Sequence, residues 1–254
     1  MKLYHREVGE GQPIIILHGL FGSSDNWLTI AKKLEGGFKV YLIDQRNHGQ
    51  SGHSDAWDYT AMVADLAAFI QENKIENPVV MGHSMGGKTV MEFAFQYPEM
   101  LQKLIVVDIA PRPYPVHHQA ILQGLNSIDI AHLKNRKEAD DALKEYIPEM
   151  GVRQFLLKNL YRDSKTGAFS WKVNLPLITQ KIENVGEEIS GKIPFEKPAL
   201  FLGGANSEYI RAEDRSDIKR LFSNATIKMI PNAGHWVHAE QPTAFLEAVQ
   251  HFLG

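Results

Sequence analysis

The sequence predicts an α/β fold: a mostly parallel, doubly wound sheet with a helical cap inserted between two of its strands. Three observations carry this. Short apolar runs at residues 13–17, 38–43, 77–81 and 102–107 have the length and composition of buried strands. Helical stretches separate them, and that alternation is the signature of parallel crossovers. The strand pattern then lapses between Arg112 and about Pro194 and resumes at residues 197–202.

Composition narrows the function classes. A chain of 254 residues fits one large α/β domain with an insertion and can bury a substantial core. A formal net charge of -3 gives no electrostatic case for nucleic acid or an anionic membrane. The absence of cysteine removes disulfides, thiol nucleophiles and thiolate metal sites. No apolar stretch approaches the ~20 residues needed to span a bilayer. The first residues, Met1-Lys2-Leu3-Tyr4-His5-Arg6-Glu7, lack a signal-peptide core, so a cytoplasmic location is expected.

The elements follow in order. Residues 2–8 read as an opening strand, and Gly9-Glu10-Gly11 as a turn. The run at 13–17 ends in a tight loop, His18-Gly19-Leu20-Phe21-Gly22, whose Leu20 amide is placed to donate to an oxyanion. A helix at 28–34 leads to the strand at 38–43. The polar loop Asp44-Gln45-Arg46-Asn47-His48-Gly49-Gln50-Ser51 does not have zinc-site spacing; its expected role is structural, with Asp44 and Arg46 pinning it. Residues 59–72 form an amphipathic helix with Met62, Leu66, Phe69 and Ile70 on one face. The strand at 77–81 runs into Gly82-His83-Ser84-Met85-Gly86, and a helix follows. The strand at 102–107 ends in Asp108. Within 112–194, helices are expected at 120–128, 136–146, 151–159 and 175–185, with a polar turn at 162–167. The core of 1–111 and 195–254 is completed by strands at 197–202 and 226–230 and by helices at 212–222 and 242–253.

The central stretch is G-x-S-x-G between a strand and a helix. Such a turn holds a serine hydroxyl out at the top of a sheet, and the next amide, Met85, faces any oxyanion formed there. A serine hydroxyl is too weak an acid to attack unaided and needs a base within hydrogen-bond reach. Of eleven histidines, His235 lies on a Gly-containing loop after the last strand, and His238 is the runner-up. His83 should point away from the turn. The acid is less obvious. The loop Gly203-Gly204-Ala205-Asn206-Ser207-Glu208 offers Glu208, whereas Asp108 ends the strand expected beside that of Ser84. Asp108 is favoured, with Ser207 as a supporting group. Phe155, Leu156, Trp171 and Trp236 are the candidate substrate-binding residues.

This order of motifs resembles the α/β-hydrolase superfamily along nearly the whole chain. His18-Gly19-Leu20-Phe21-Gly22-Ser23, Arg46-Asn47-His48-Gly49, Gly82-His83-Ser84-Met85-Gly86-Gly87-Lys88 and Val107-Asp108-Ile109-Ala110-Pro111 are similar to one esterase branch. So are Gln154-Phe155-Leu156-Leu157 and Gly234-His235-Trp236-Val237-His238-Ala239-Glu240. That branch holds the bacterial YbfF-type esterases and the abhydrolase 11 proteins. The resemblance implies hydrolysis of acyl esters or thioesters by a Ser84-His235-Asp108 triad, and it supports Asp108 because the branch carries its aspartate there. It implies no metal and no organic cofactor; the expected partner is a small-molecule ester. The alternatives are a carbon–carbon bond hydrolase or perhydrolase on the same triad, and a slow-turnover ligand receptor of the same fold.

Overall fold

A computed structural model describes residues 1–254. The chain opens with β1 (His5–Val8), β2 (Gln12–Leu17), α1 (Leu28–Leu34), β3 (Phe38–Ile43), α2 (Tyr59–Glu72), β4 (Val79–His83), α3 (Met85–Gln96) and β5 (Lys103–Val107). It then makes a long excursion through α4 (Gln119–Ser127), α5 (Arg136–Leu143), α6 (Met150–Leu157), β6 (Leu160–Arg162), β7 (Phe169–Trp171) and α7 (Leu175–Gln180). It returns through β8 (Ala199–Gly204), α8 (Asp214–Leu221), β9 (Ala225–Ile230), α9 (Val237–Glu240) and α10 (Pro242–Leu253). No helix is long and apolar enough to cross a membrane.

Seven strands form the sheet in the order β1-β3-β2-β4-β5-β8-β9. All pairs are parallel except β1 with β3. The central strands are apolar apart from one polar residue at an end, Gln12, His83 and Lys103, because helices cover both faces. Alternate side chains divide between two cores: Ile15 and Leu17 join the larger one with α2, α3 and the excursion, whereas Ile14 and Ile16 pack with α1 and α10. Asp58 starts α2 by accepting a hydrogen bond from the Ala61 amide at 2.7 Å. Its buried face holds Met62, Leu66, Phe69 and Ile70, each stabilising the fold by about 1.5–3 kcal/mol.

Two features depart from the sequence reading. The excursion is not purely helical: β6 and β7 pair as an antiparallel hairpin around the polar turn, apart from the main sheet. The last expected helix of that block ends early at Gln180, and residues Ile182–Gly186 form a 3-10 turn.

Sheet register positions the site. His83 pairs with Val107, and Val107 with Leu202. Ser84, Asp108 and the loop after β8 therefore emerge side by side at the carboxyl edge of the sheet, where open α/β sheets form their ligand crevices.

Candidate active site

Ser84 occupies the turn between β4 and α3 with φ 53° and ψ -117°. A non-glycine residue at positive φ is strained and is held there only by its surroundings. Here the Ser84 amide donates to Val107 O at 3.0 Å. The flanking glycines are required by close approach: a Cβ on Gly82 would lie 2.1 Å from Gly86 O, and one on Gly86 would lie 2.6 Å from Leu17 O. Ser84 is half-buried and lines a small cleft, partly open to solvent, together with Leu20 and Met85. The Met85 amide is the first of α3 and has no partner within the helix. The Leu20 amide makes no hydrogen bond within the chain either. Both N–H groups are thus free to serve an anion beside Ser84.

Asp108 follows β5 at φ 49° and is fully buried. Its Oδ1 accepts from the Gly204 amide at 2.9 Å, and its Oδ2 accepts from the Ser207 hydroxyl and from His235 Nδ1 at 2.8 Å. A carboxylate only accepts, so the His235 proton lies on Nδ1 and the Nε2 lone pair is left free. Tyr209 stacks on the His235 ring at 4.1 Å between centroids. The Ser84 hydroxyl has no hydrogen-bond partner in the chain; catalytic hydrogen bonds commonly tighten only around substrate.

His83 packs against Trp27, His238 and the His235 ring. Its Nε2–H donates to the His235 carbonyl at 2.9 Å and so ties the nucleophile strand to the base loop. His238 is buried against Trp27, ring centroids 3.9 Å apart, and burial pushes its pKa down to about 3. That makes it a neutral packing residue. Glu208 is an exposed residue paired with Arg211 at 3.2 Å, away from the histidine. The polar loop has the structural role expected of it: Asp44 accepts from the Ser24 and Gln50 amides, and Arg46 pairs with Asp65 at 2.7 Å.

None of Phe155, Leu156, Trp171 and Trp236 lines the cleft. Leu156 is buried in the larger core, and Phe155 packs against Trp236 at 5.7 Å. Trp171 ends the excursion's hairpin. The cleft wall is built instead from Tyr114, Val116 and His118 on the outgoing chain, and Val185 and Gly186 on the returning chain. The reason is Tyr114, which lines the cleft with Ser84 and ties the neighbouring segments together. Its amide donates to Gly186 O at 2.9 Å. Its hydroxyl accepts from the Ala110 amide and donates to Tyr209 O.

The sequence model of the alpha/beta hydrolase fold matches residues 12–128. The sn-1-specific diacylglycerol lipase ABHD11 of Xenopus laevis is 41% identical over 252 residues, 96% of this chain and 80% of that one. The chain belongs to the α/β-hydrolase family. Within this family, esterase YbfF of Escherichia coli is 37% identical over 244 residues, covering 95% of this chain and 92% of its own. An α/β-hydrolase of known structure, a marine microorganism esterase, superposes with a TM-score of 0.96 at 46% identity, covering 99% of each chain. The α/β-hydrolases named here are esterases and a lipase, enzymes that hydrolyse carboxylic esters.

Proposed function

We propose that the protein is a serine esterase in which Ser84 is the nucleophile, His235 the general base and Asp108 the acid that orients it. Ser84 Oγ attacks the acyl carbonyl as His235 Nε2 takes its proton. The tetrahedral oxyanion is met by the Leu20 and Met85 amides, donors fixed in place before charge develops. His235 returns the proton to the departing alcohol or thiol, and water then releases the acid from the acyl-enzyme by the same steps in reverse. Asp108 holds the Nδ1–H tautomer and stabilises the imidazolium. The supporting group is Ser207, whose hydroxyl donates to the same carboxylate oxygen as His235.

One observation carries the reading: a buried carboxylate bonded to His235 Nδ1 at 2.8 Å, next to a serine held at positive φ beside two free amides. Residues 112–194 act as a cap, and the acyl chain lies along the cleft wall that the cap contributes. The names of the relatives favour acyl esters of glycerol or simple alcohols. The test is a panel of p-nitrophenyl esters and acyl-CoA thioesters assayed with wild type and Ser84→Ala. Wild type should turn over esters whose acyl chains fit the cleft. The folded variant should lose at least about a thousandfold in kcat. Comparable turnover by the two would refute the assignment.

A further inference from the structure

Lys88 is fully buried, and no other lysine is. It stands one turn into α3, and its amide donates to Ser84 O at 3.0 Å. Its Nζ donates to Arg112 O at 2.9 Å and to Glu187 O. Those carbonyls lie where the chain leaves the core after β5 and where it comes back from the cap. The two crossings are also joined to each other, Tyr114 N to Gly186 O at 2.9 Å and Ile189 N to Pro111 O at 2.8 Å. The ammonium lies 5.0 Å from the Tyr114 ring centroid, and the Arg112 guanidinium is 3.9 Å from the same ring.

Packing does not explain a lysine here. Burying an ammonium is costly, and methionine would fill similar space without that cost. What a lysine adds is charge-assisted donors, about twice as strong as neutral ones, aimed at two carbonyls at once. Both carbonyls sit at the roots of the segments that form the cleft wall, Tyr114 to His118 and Val185 to Gly186.

We propose that Lys88 is a positioning residue, whose ammonium clips both crossings of the cap to the nucleophile helix and so fixes the wall against which the acyl chain packs. This rests on the reading of the cleft as the acyl site. The clip is tunable near neutral pH. Burial first, and then Arg112, push the Lys88 pKa down to about 7, while Glu188 and Glu187 oppose them. The Tyr114 phenol facing it is pushed up by burial and stays neutral. The Arg112 guanidinium forms an ion pair with Asp214 at 2.9 Å. A deprotonated Lys88 retains N–H donors for both carbonyls and no longer carries the desolvation cost of the ammonium, so raising the pH above about 7 favours the closed clip.

The test uses Lys88→Met and Lys88→Arg, with p-nitrophenyl acetate and octanoate as probes and amide exchange as a second readout. For folded Lys88→Met, KM for the octanoate should rise about tenfold while KM for the acetate and both kcat values stay within about twofold. Exchange of the Tyr114 and Ile189 amides should quicken about tenfold, and Lys88→Arg should restore most of the protection. Wild-type KM values and unchanged exchange in folded Lys88→Met would overturn the proposal. Should that variant not fold, wild-type protection of the same amides is followed from about pH 6 to about pH 9, corrected for intrinsic exchange. Opening returns Lys88 to water, where it keeps its proton up to about 10.5, so protection should rise with pH above about 7 as the buried amine loses its proton; flat or falling protection would overturn the clip. If wild type hydrolyses no ester, the esterase reading fails, and the exchange arm alone decides the clip.

Discussion

Asp108 accepts hydrogen bonds from the Gly204 amide, the Ser207 hydroxyl and His235 Nδ1, and it does so with no solvent exposure. Replacing it with asparagine keeps the shape but removes the charge. The new amide also brings donors where only acceptors fit, which favours the wrong histidine tautomer. Asp108→Asn is therefore expected to lower kcat by about 10³–10⁴-fold. Glu208 is exposed and bound only to Arg211 through its carboxylate, so Glu208→Gln should stay within about twofold of wild type, since exposed ion pairs contribute little. Turnover of both variants on one short-chain ester, after circular dichroism confirms folding, decides between them. A dead Glu208→Gln beside a near-normal Asp108→Asn would reverse the assignment. At this scale Ser84 and His235 are legible as candidates, each in a glycine-containing loop after a strand, whereas the residues alone leave both Asp108 and Glu208 open as the acid. His83 and Tyr209 are not legible. Their roles come from long-range contacts, a bond to the His235 carbonyl and a stack on its ring, which leave no local pattern.

The turn between β4 and α3 depends on two glycines that let backbone meet backbone. Gly82→Ala would bring a methyl to 2.1 Å of Gly86 O, and its neighbours there are main-chain atoms that cannot swing aside. The expected loss is about 1–3 kcal/mol of stability, together with a displaced Ser84 and reduced turnover. Urea unfolding and kcat on the same preparation test this; wild-type values for both would show the turn to be far looser than its contacts imply. The elements themselves were read well wherever burial imposes a pattern. The central strands are apolar except for one terminal residue each, and α2 shows its buried face at helical spacing. The β6–β7 hairpin was missed because three residues per strand are too few to establish a period. The cleft wall was missed because residues 113–118 belong to no helix or strand and take their place from Tyr114. The large apolar side chains of α6 and the hairpin, which the sequence offers as substrate contacts, pack in or against the core instead.

Over the whole molecule, several histidines are locked neutral inside the fold. Burial pushes His18 to about 4, and His48 and His238 to about 3, and it lowers His83 strongly as well. All four are buried. Below their ordinary value of 6.5 the unfolded chain takes up protons that the folded chain refuses. Stability therefore falls as pH drops from about 6.5 toward 4. Urea midpoints measured between about pH 7 and about pH 4.5 should decline steadily; a flat series would mean that these rings are not held neutral. Lys88 acts in the same direction above neutrality, because the unfolded chain keeps that proton after the buried amine has lost it. The proposed chemistry is tested most directly on the intact protein by mass spectrometry after reaction with a fluorophosphonate. The account predicts one adduct per chain, mapped to the peptide containing Ser84, absent in Ser84→Ala and greatly slowed in His235→Ala. An adduct on another residue, or one that forms equally fast in Ser84→Ala, would contradict it.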